Sequence, residues 1–212
     1  MGIPVLIIGK SGTGKTTSLR NCTDNADWLC IKAIAKPFPF KGKIKTVVSD
    51  DMRQIVAALP RITAKSIVID DAGSLLTNAF MRGHRSMKGN AVFELYNDLG
   101  DGFWSIINTV LTQCAEDVIV YIIMHEETND FGDIAPKTIG RMLNEKVCIE
   151  GMCTIALRSI KNDGHYQFMT QSEGGAVSKS PLGMFETDAI DNDLFTVDST
   201  IREYYFGGNQ DE

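Results

Sequence analysis

The sequence predicts an α/β fold in which helices cover a mostly parallel central sheet. Apolar, β-branched runs recur between segments of helical periodicity, at residues 3–8, 44–48, 66–69 and 118–124. Strands that are apolar along their whole length are typical of parallel sheets buried on both faces. At 212 residues, of which 43% are hydrophobic and 23% charged, the chain is long enough for one such domain. We expect this domain to span residues 1–206 and residues 207–212 to form a frayed tail.

The remaining elements follow from local patterns. Residues 28–31 are a candidate early strand, and residues 33–45, which contain two prolines and four lysines, are expected to form a solvated loop. Between residues 91 and 114 apolar side chains recur at helical spacing, which predicts a helix with a break or kink at Gly100 and Gly102. Residues 154–160 and 165–170 flank a KNDG turn, so we expect an antiparallel hairpin at the sheet edge.

The composition bears on the compartment and on the partners. The formal net charge is −6 and the pI is about 5.1, so any contact with DNA must come from a local basic patch. The five cysteines are scattered and odd in number, as expected for reduced thiols. The N-terminal apolar run is too short to span a bilayer. We therefore expect a cytoplasmic protein with no membrane contact.

A phosphate-binding pattern follows the first apolar run. Residues 9–16 read GKSGTGKT and match G-x-x-x-x-G-K-[ST]. In this P-loop pattern glycines let backbone N–H groups converge on phosphate oxygens, and the helix that follows points its positive end at the same anion. We expect Lys15 to reach the β- and γ-phosphates of ATP and the Thr16 hydroxyl to contact Mg²⁺. The predicted nucleotide contacts are Gly9, Lys10, Ser11, Gly12, Thr13, Gly14, Lys15, Thr16 and Thr17.

A second motif predicts where a metal ligand and a water-activating acid lie. Residues 66–71 read SIVIDD, an apolar strand that ends in two carboxylates. We expect Asp70 to hold Mg²⁺ or its water, and Asp71 to orient or deprotonate the attacking water. A candidate strand at residues 44–48 lies between the two motifs. Two motifs separated in this way are typical of the P-loop class that has an additional central strand. This class favours hydrolases over small-metabolite kinases. The strand at residues 118–124 ends at His125, which either senses the γ-phosphate or only caps the strand by hydrogen bonding.

These motifs resemble the RecA-like P-loop ATPases, most closely the small phage-encoded ATPases linked to single-strand annealing and recombination. The segments that carry the resemblance are GKSGTGKT at 9–16, IVIDDA at 67–72, VIVYIIMHEE at 118–127 and the hairpin after Cys153. The resemblance implies a three-layer RecA-like/ASCE fold and hydrolysis of ATP to ADP and phosphate. It also implies that two stretches face DNA, residues 77–90 after the Walker B strand 66–70 and residues 125–140 after the strand 118–124. The second stretch departs from this expectation, because its four acidic residues outnumber its one lysine. The first of these, residues 77–90, is expected to be a mobile basic loop that binds single-stranded DNA through Arg82, Arg85 and Lys88.

The resemblance leaves the general base open. RecA-like enzymes place a catalytic glutamate after the strand that follows the P-loop helix, and at that point we expect Asp50 and Asp51. The candidates for the base are therefore Asp71, Glu126 and Asp50.

Such ATPases often form rings or filaments, in which an arginine from a neighbouring subunit contributes roughly 10³–10⁵ in rate. Arg141 and Arg158 are the candidates for this role in a homo-oligomer, and the alternative for each is an ordinary surface ion pair.

The leading hypothesis is a Mg²⁺-dependent ATPase that acts on DNA, mainly single-stranded, in phage-type recombination or replication. Its partners would be ATP and ADP, DNA, further copies of the chain and phage replication or recombination proteins, in the host cytoplasm if the gene belongs to a phage. The alternative is an ATP-switched protein-interaction module whose hydrolysis does not respond to DNA. A kinase for a small metabolite is disfavoured because the sequence offers no arginine-rich lid.

Overall fold

The computed structural model describes residues 1–86, 89, 91–129, 131–139, 147–172 and 174–207. Within these residues four α-helices and nine strands are present. The helices are α1 Met52–Ala58, α2 Gly73–Gly83, α3 Ala91–Gln113 and α4 Leu194–Phe206. The strands are β1 Ile3–Gly9, β2 Trp28–Lys32, β3 Lys45–Val48, β4 Ser66–Asp70, β5 Ile119–Thr128, β6 Ile134–Pro136, β7 Ile155–Asn162, β8 His165–Met169 and β9 Ala189–Asp191. Short 3-10 helices lie at Thr16–Asn21, Leu59–Arg61, His84–Ser86 and Glu150–Met152.

The nine described strands form one sheet in the order β3-β2-β4-β5-β1-β7-β8-β9, with β6 paired to β5. The pairs from β3 through to β7 are parallel, and β7-β8, β8-β9 and β5-β6 are antiparallel. The predicted fold class, a mostly parallel sheet with antiparallel strands towards one edge, is confirmed. Strand β9 lies outside the β7-β8 hairpin, so the hairpin is not the outermost element of the sheet.

The additional central strand is β5, which separates β1 from β4. The expectation that residues 44–48 supply this strand is wrong, because β3 is the edge strand on the far side of β2. Burial explains why β5, and not β3, lies in the centre of the sheet. All four residues of β3 are exposed, whereas the first six residues of β5 are buried, and only a strand that is apolar on both faces suits the middle of a covered sheet.

Alternate residues of the central strands pack on opposite faces of the sheet. One face carries Leu6, Ile69 and Ile122 against helices α1, α2 and α3. The other carries Ile7 and Tyr121 against α4 and the 3-10 helix after the P-loop. The result is a three-layer arrangement with two apolar cores. No helix in the described parts of the chain is long and apolar enough to cross a bilayer.

The predicted break in the long helix is absent. Helix α3 runs from Ala91 to Gln113 without interruption, and Gly102 serves packing. A Cβ on Gly102 would lie 3.0 Å from the Met52 side chain of α1, so glycine permits a close helix–helix approach.

The segment at residues 77–90, predicted to be a mobile loop, is helical over residues 77–86, where it completes α2 and forms the 3-10 helix His84–Ser86. Burial of Leu75 and Leu76 anchors α2, and the Phe80 ring stacks on His84 with centroids 5.0 Å apart. Tertiary packing therefore orders a stretch whose basic composition suggested a loop.

Candidate nucleotide site

The P-loop has the backbone conformation that its glycines predict. It follows β1 and leads into the 3-10 helix Thr16–Asn21, which is shorter than a regular crossover helix. Gly12 and Gly14 have φ values of +79° and +96°, in the region that side chains with a Cβ rarely adopt. The two glycines therefore let the loop turn between the end of β1 and Lys15.

The Lys15 ammonium lies at the centre of this loop. It is buried and donates hydrogen bonds to the carbonyl oxygens of Gly9 and Lys10, both at 2.7 Å. Burial lowers the pKa of Lys15, although the nearby carboxylates of Asp71, Glu126 and Asp70 oppose this effect. A partly desolvated ammonium at the centre of the loop suits a phosphate group, which brings its own negative charge.

Thr16 and Asp70 are in contact at the carboxyl ends of β1 and β4. The Thr16 hydroxyl donates to Asp70 Oδ1 at 3.0 Å, and Asp70 is 1% exposed. Burial raises the pKa of Asp70, and the charge of Asp71 adds to the effect. Among the described residues no group of three or more His, Cys, Asp or Glu could hold a metal by itself. A magnesium site that takes one hydroxyl, one carboxylate and phosphate oxygens needs no such group, so the Thr16–Asp70 pair fits Mg²⁺.

Asp71 follows the end of β4 in an unusual backbone conformation. Its φ is +55°, in the left-handed region that few non-glycine residues occupy. Its carbonyl accepts the Ser74 N–H at the start of α2, and its side chain is only 9% exposed. Carboxylate oxygen Oδ2 forms an ion pair with the Lys36 ammonium, and Oδ1 lies 4.0 Å from His125 Nε2. Strain of this kind clusters at functional sites.

His125 lies between the P-loop lysine and Asp71. It is opposite Gly9 in the β1-β5 register, and its Nδ1 is 3.5 Å from Lys15 Nζ. Burial lowers the pKa of His125, and the Lys15 charge lowers it further, which favours the neutral ring. In a neutral ring whose Nδ1 accepts from the Lys15 ammonium, the ring proton is on Nε2, which faces Asp71. The ring thus lies between the phosphate-binding lysine and the acid.

Glu126 and Arg158 form a bidentate ion pair across the P-loop strand. Arg158 Nε and Nη2 donate to the two carboxylate oxygens at 2.8 and 3.0 Å. Glu126 is on β5 and Arg158 on β7, the two neighbours of β1, so the pair spans the carboxyl end of that strand. The hydrogen bond to Glu126 raises the pKa of Arg158. The Arg158 guanidinium is therefore engaged within its own chain.

Comparison with known proteins identifies the family of this chain. The AAA_24 family, described as an AAA domain, matches residues 1–182. The chain belongs to this AAA domain family. No curated protein matches the chain. Among solved structures it is similar to the crystal structure of a KaiC-like protein from the hyperthermophilic archaeon Pyrococcus horikoshii OT3, with 14% identity, a TM-score of 0.41, and coverage of 79% of this chain and 77% of that one. The family membership and the P-loop together make this an ATP-binding domain of the ATPase class.

The AAA domain supports its P-loop with residues that sequence reasoning did not find. Ser159 Oγ on β7 donates to the Thr13 carbonyl at 2.7 Å, and Asn192 Nδ2 donates to Ser159 Oγ at 3.2 Å. Arg20, after the P-loop, donates to the Asn192 carbonyl. The sequence contains no signal for this chain of bonds, because it links the loop to residues 146 and more positions away.

Several predicted site residues lie away from this centre or outside the described residues. Asp50 accepts hydrogen bonds from Arg82 and Asn78. Both bonds lower the pKa of Asp50, and the bond from Arg82 has the larger effect. Asp51 caps the N-terminus of α1. Both follow edge strand β3, four strands from β1, which is about 19 Å at the usual strand spacing. Arg85 is exposed on the 3-10 helix after α2. Lys88 and Arg141 lie outside the described residues.

Proposed function

We propose that this protein is a Mg²⁺-dependent ATPase that hydrolyses ATP to ADP and phosphate. The observation that carries the proposal is the convergence of Lys15, Thr16, Asp70 and Asp71 at the carboxyl ends of β1 and β4. Ligands of open α/β sheets bind at this edge of the sheet. The P-loop amides and the Lys15 ammonium would bind the β- and γ-phosphates. Thr16 and Asp70 would hold Mg²⁺, which neutralises phosphate charge when it is bound.

The arrangement favours Asp71 as the proton acceptor. In hydrolysis a water oxygen forms a bond to the γ-phosphorus, the bond from the γ-phosphorus to the bridging oxygen breaks, and its electron pair leaves with ADP. The water proton needs an acceptor close to the γ-phosphate. Asp71 lies 4.0 Å from the His125 ring, whose other nitrogen is 3.5 Å from Lys15 Nζ. Glu126, in contrast, has both oxygens bonded to Arg158, and Asp50 follows the far edge strand. His125 can donate its Nε2 proton to a phosphate oxygen and so respond to the terminal phosphate.

We further propose that hydrolysis is coupled to single-stranded DNA in phage-type recombination or replication. Helix α2 begins two residues after Asp71 and leads to the exposed Arg85, so a change at the acid can reach this arginine through one helix. Arg82, one turn earlier, is half-exposed and paired with Asp50. Of the two arginines considered for a homo-oligomeric ring or filament, Arg158 is paired in its own chain, which leaves Arg141 for a role in a neighbouring subunit.

The experiment is steady-state ATP hydrolysis with Mg²⁺, with and without single-stranded DNA, using Lys15→Ala as the blank. We expect DNA to stimulate turnover. Arg85→Ala should weaken DNA binding and reduce the slope of log K against log salt by about one unit. The matched control is Arg61→Ala, an exposed arginine on the 3-10 helix that precedes β4 at the opposite edge of the sheet. Hydrolysis that ignores DNA would favour the alternative, an ATP-switched module that binds a protein partner.

A further inference from the structure

A second lysine reaches the acid end of β4 from a loop that the sequence presents as a solvated connection. Lys36 lies between β2 and β3, and its ammonium pairs with Asp71 Oδ2. The side chain of Lys36 is 47% exposed, whereas that of Asp71 is 9% exposed. The lysine is thus the partner that can leave the pair into solvent, and the carboxylate is the partner that stays in the site.

The backbone at Lys36 is held against the ends of the central strands. Ala33 N–H donates to the Asp70 carbonyl at 3.2 Å. The buried Lys32 ammonium donates to the Lys36 carbonyl at 2.6 Å and lies 3.4 Å from the centre of the Phe38 ring. Lys32 itself is beside Asp70 in the β2-β4 register. These contacts position the base of the Lys36 side chain, so that little ordering is needed when its ammonium binds a group in the site.

Lys36 is close to the groups of the nucleotide site. Its ammonium pairs with Asp71 Oδ2, and Asp71 Oδ1 lies 4.0 Å from His125 Nε2. The other ring nitrogen of His125 is 3.5 Å from Lys15 Nζ. The Lys36 ammonium therefore lies near the space that a terminal phosphate bound by Lys15 would enter.

We propose that Lys36 binds the terminal phosphate of ATP from within the same chain and leaves Asp71 as it does so. This inference rests on the proposed ATPase function. A phosphate oxygen competes well with one carboxylate for an ammonium, because the terminal phosphate carries more charge. The exchange has one consequence for the hydrolysis step. Lys36 stabilises the charge on the phosphoryl group during transfer.

The test compares Lys36→Met, which keeps the length and removes the charge, with Lys36→Arg, which keeps the charge. Lys41→Met is the matched control, since Lys41 is an exposed lysine of the same loop. Calorimetry would measure the affinity for ADP and for a non-hydrolysable ATP analogue, and single-turnover assays would measure hydrolysis. In Lys36→Met we expect about tenfold weaker binding of the analogue with unchanged ADP binding, and hydrolysis about 10²-fold slower. Lys36→Arg should recover most of both, and Lys41→Met should match the wild type.

The outcomes separate this inference from the proposed function. Wild-type protein that binds no ATP would overturn both. If the wild type binds ATP and Lys36→Met keeps the same preference for the ATP analogue over ADP, the ion pair with Asp71 is only structural and the inference is wrong. Faster hydrolysis in Lys36→Met would also overturn it, because Lys36 would then only mask Asp71. The calorimetric comparison of the ATP analogue with ADP tests the inference even if the wild type hydrolyses ATP too slowly to measure.

Discussion

Removal of Arg158 should destabilise the protein through a single identifiable contact. The Arg158→Met change deletes both hydrogen bonds to Glu126, whose side chain is 2% exposed. It leaves a buried carboxylate without its cation, at a point where β5 and β7 are connected across β1. The change therefore affects both the fold around the P-loop strand and the charge balance of the site.

The geometry of the pair sets the expected magnitude. Breaking a buried ion pair by removing one partner costs about 3–5 kcal/mol, because the remaining charge is uncompensated. Arg158 is 21% exposed, so water reaches one side of the pair, and we expect the lower end, about 3 kcal/mol. For a chain of 212 residues this corresponds to a decrease in Tm of about 7 °C. The exposed pair Lys65–Asp117 is a suitable control, since such pairs contribute about 0–1 kcal/mol.

The assay is urea unfolding in the absence of nucleotide, followed by circular dichroism. It would compare Arg158→Met, Glu126→Gln, the double variant and Lys65→Met. We expect the double variant to be more stable than Arg158→Met, with a coupling energy of about 2 kcal/mol between the two positions. The reasoning is refuted if Arg158→Met loses no more stability than Lys65→Met, or if the effects of the two single changes simply add.

Three further predictions address the phosphate loop, its support and the opposite end of the sheet. Lys15→Ala should abolish measurable hydrolysis and weaken ATP binding in calorimetry by about 10- to 150-fold, the equivalent of one charge-assisted bond of about 1.5–3 kcal/mol. Asn192→Ala removes the donor to Ser159 and should weaken ATP binding by about fivefold, the equivalent of about 1 kcal/mol. The preference for ATP over ADP should be the same as in the wild type. Undiminished affinity would show that the loop needs no such support. Asp198→Ala leaves Tyr121, Ser66 and Arg202 without their shared acceptor and should lower the unfolding free energy by about 3 kcal/mol. ATP affinity measured at a temperature where this variant is folded should equal that of the wild type, because these residues lie at the amino ends of β4 and β5.

Seven of the nine described strands and the two phosphate-site motifs could be predicted because their signals are local, whereas the three-residue strands β6 and β9 were not predicted. Residues 9–16 encode the P-loop in one continuous segment, and residues 66–71 encode a buried strand that ends in two aspartates. The meeting of these two motifs followed from the rule that parallel strands present their carboxyl ends at one edge. Errors arose where packing decides the local structure. The glycines of α3 indicated a break, but Gly102 permits contact with Met52, and the basic segment after residue 76 is helical because α2 packs on the core.

The sequence by itself determined the fold class, the P-loop conformation and the acids that end β4, because each depends on consecutive residues or on apolar runs that recur between helical segments. Only the tertiary structure decided which charges face one another. The pairs Lys36–Asp71 and Glu126–Arg158, and the support of Thr13 by Ser159, join segments that are separate along the chain. Their partners depend on the order of strands in the sheet, with β5 and β7 on either side of β1. Strand order is a property of the packed sheet as a whole, because each strand's place depends on which neighbours bury its two faces, and no single segment encodes it.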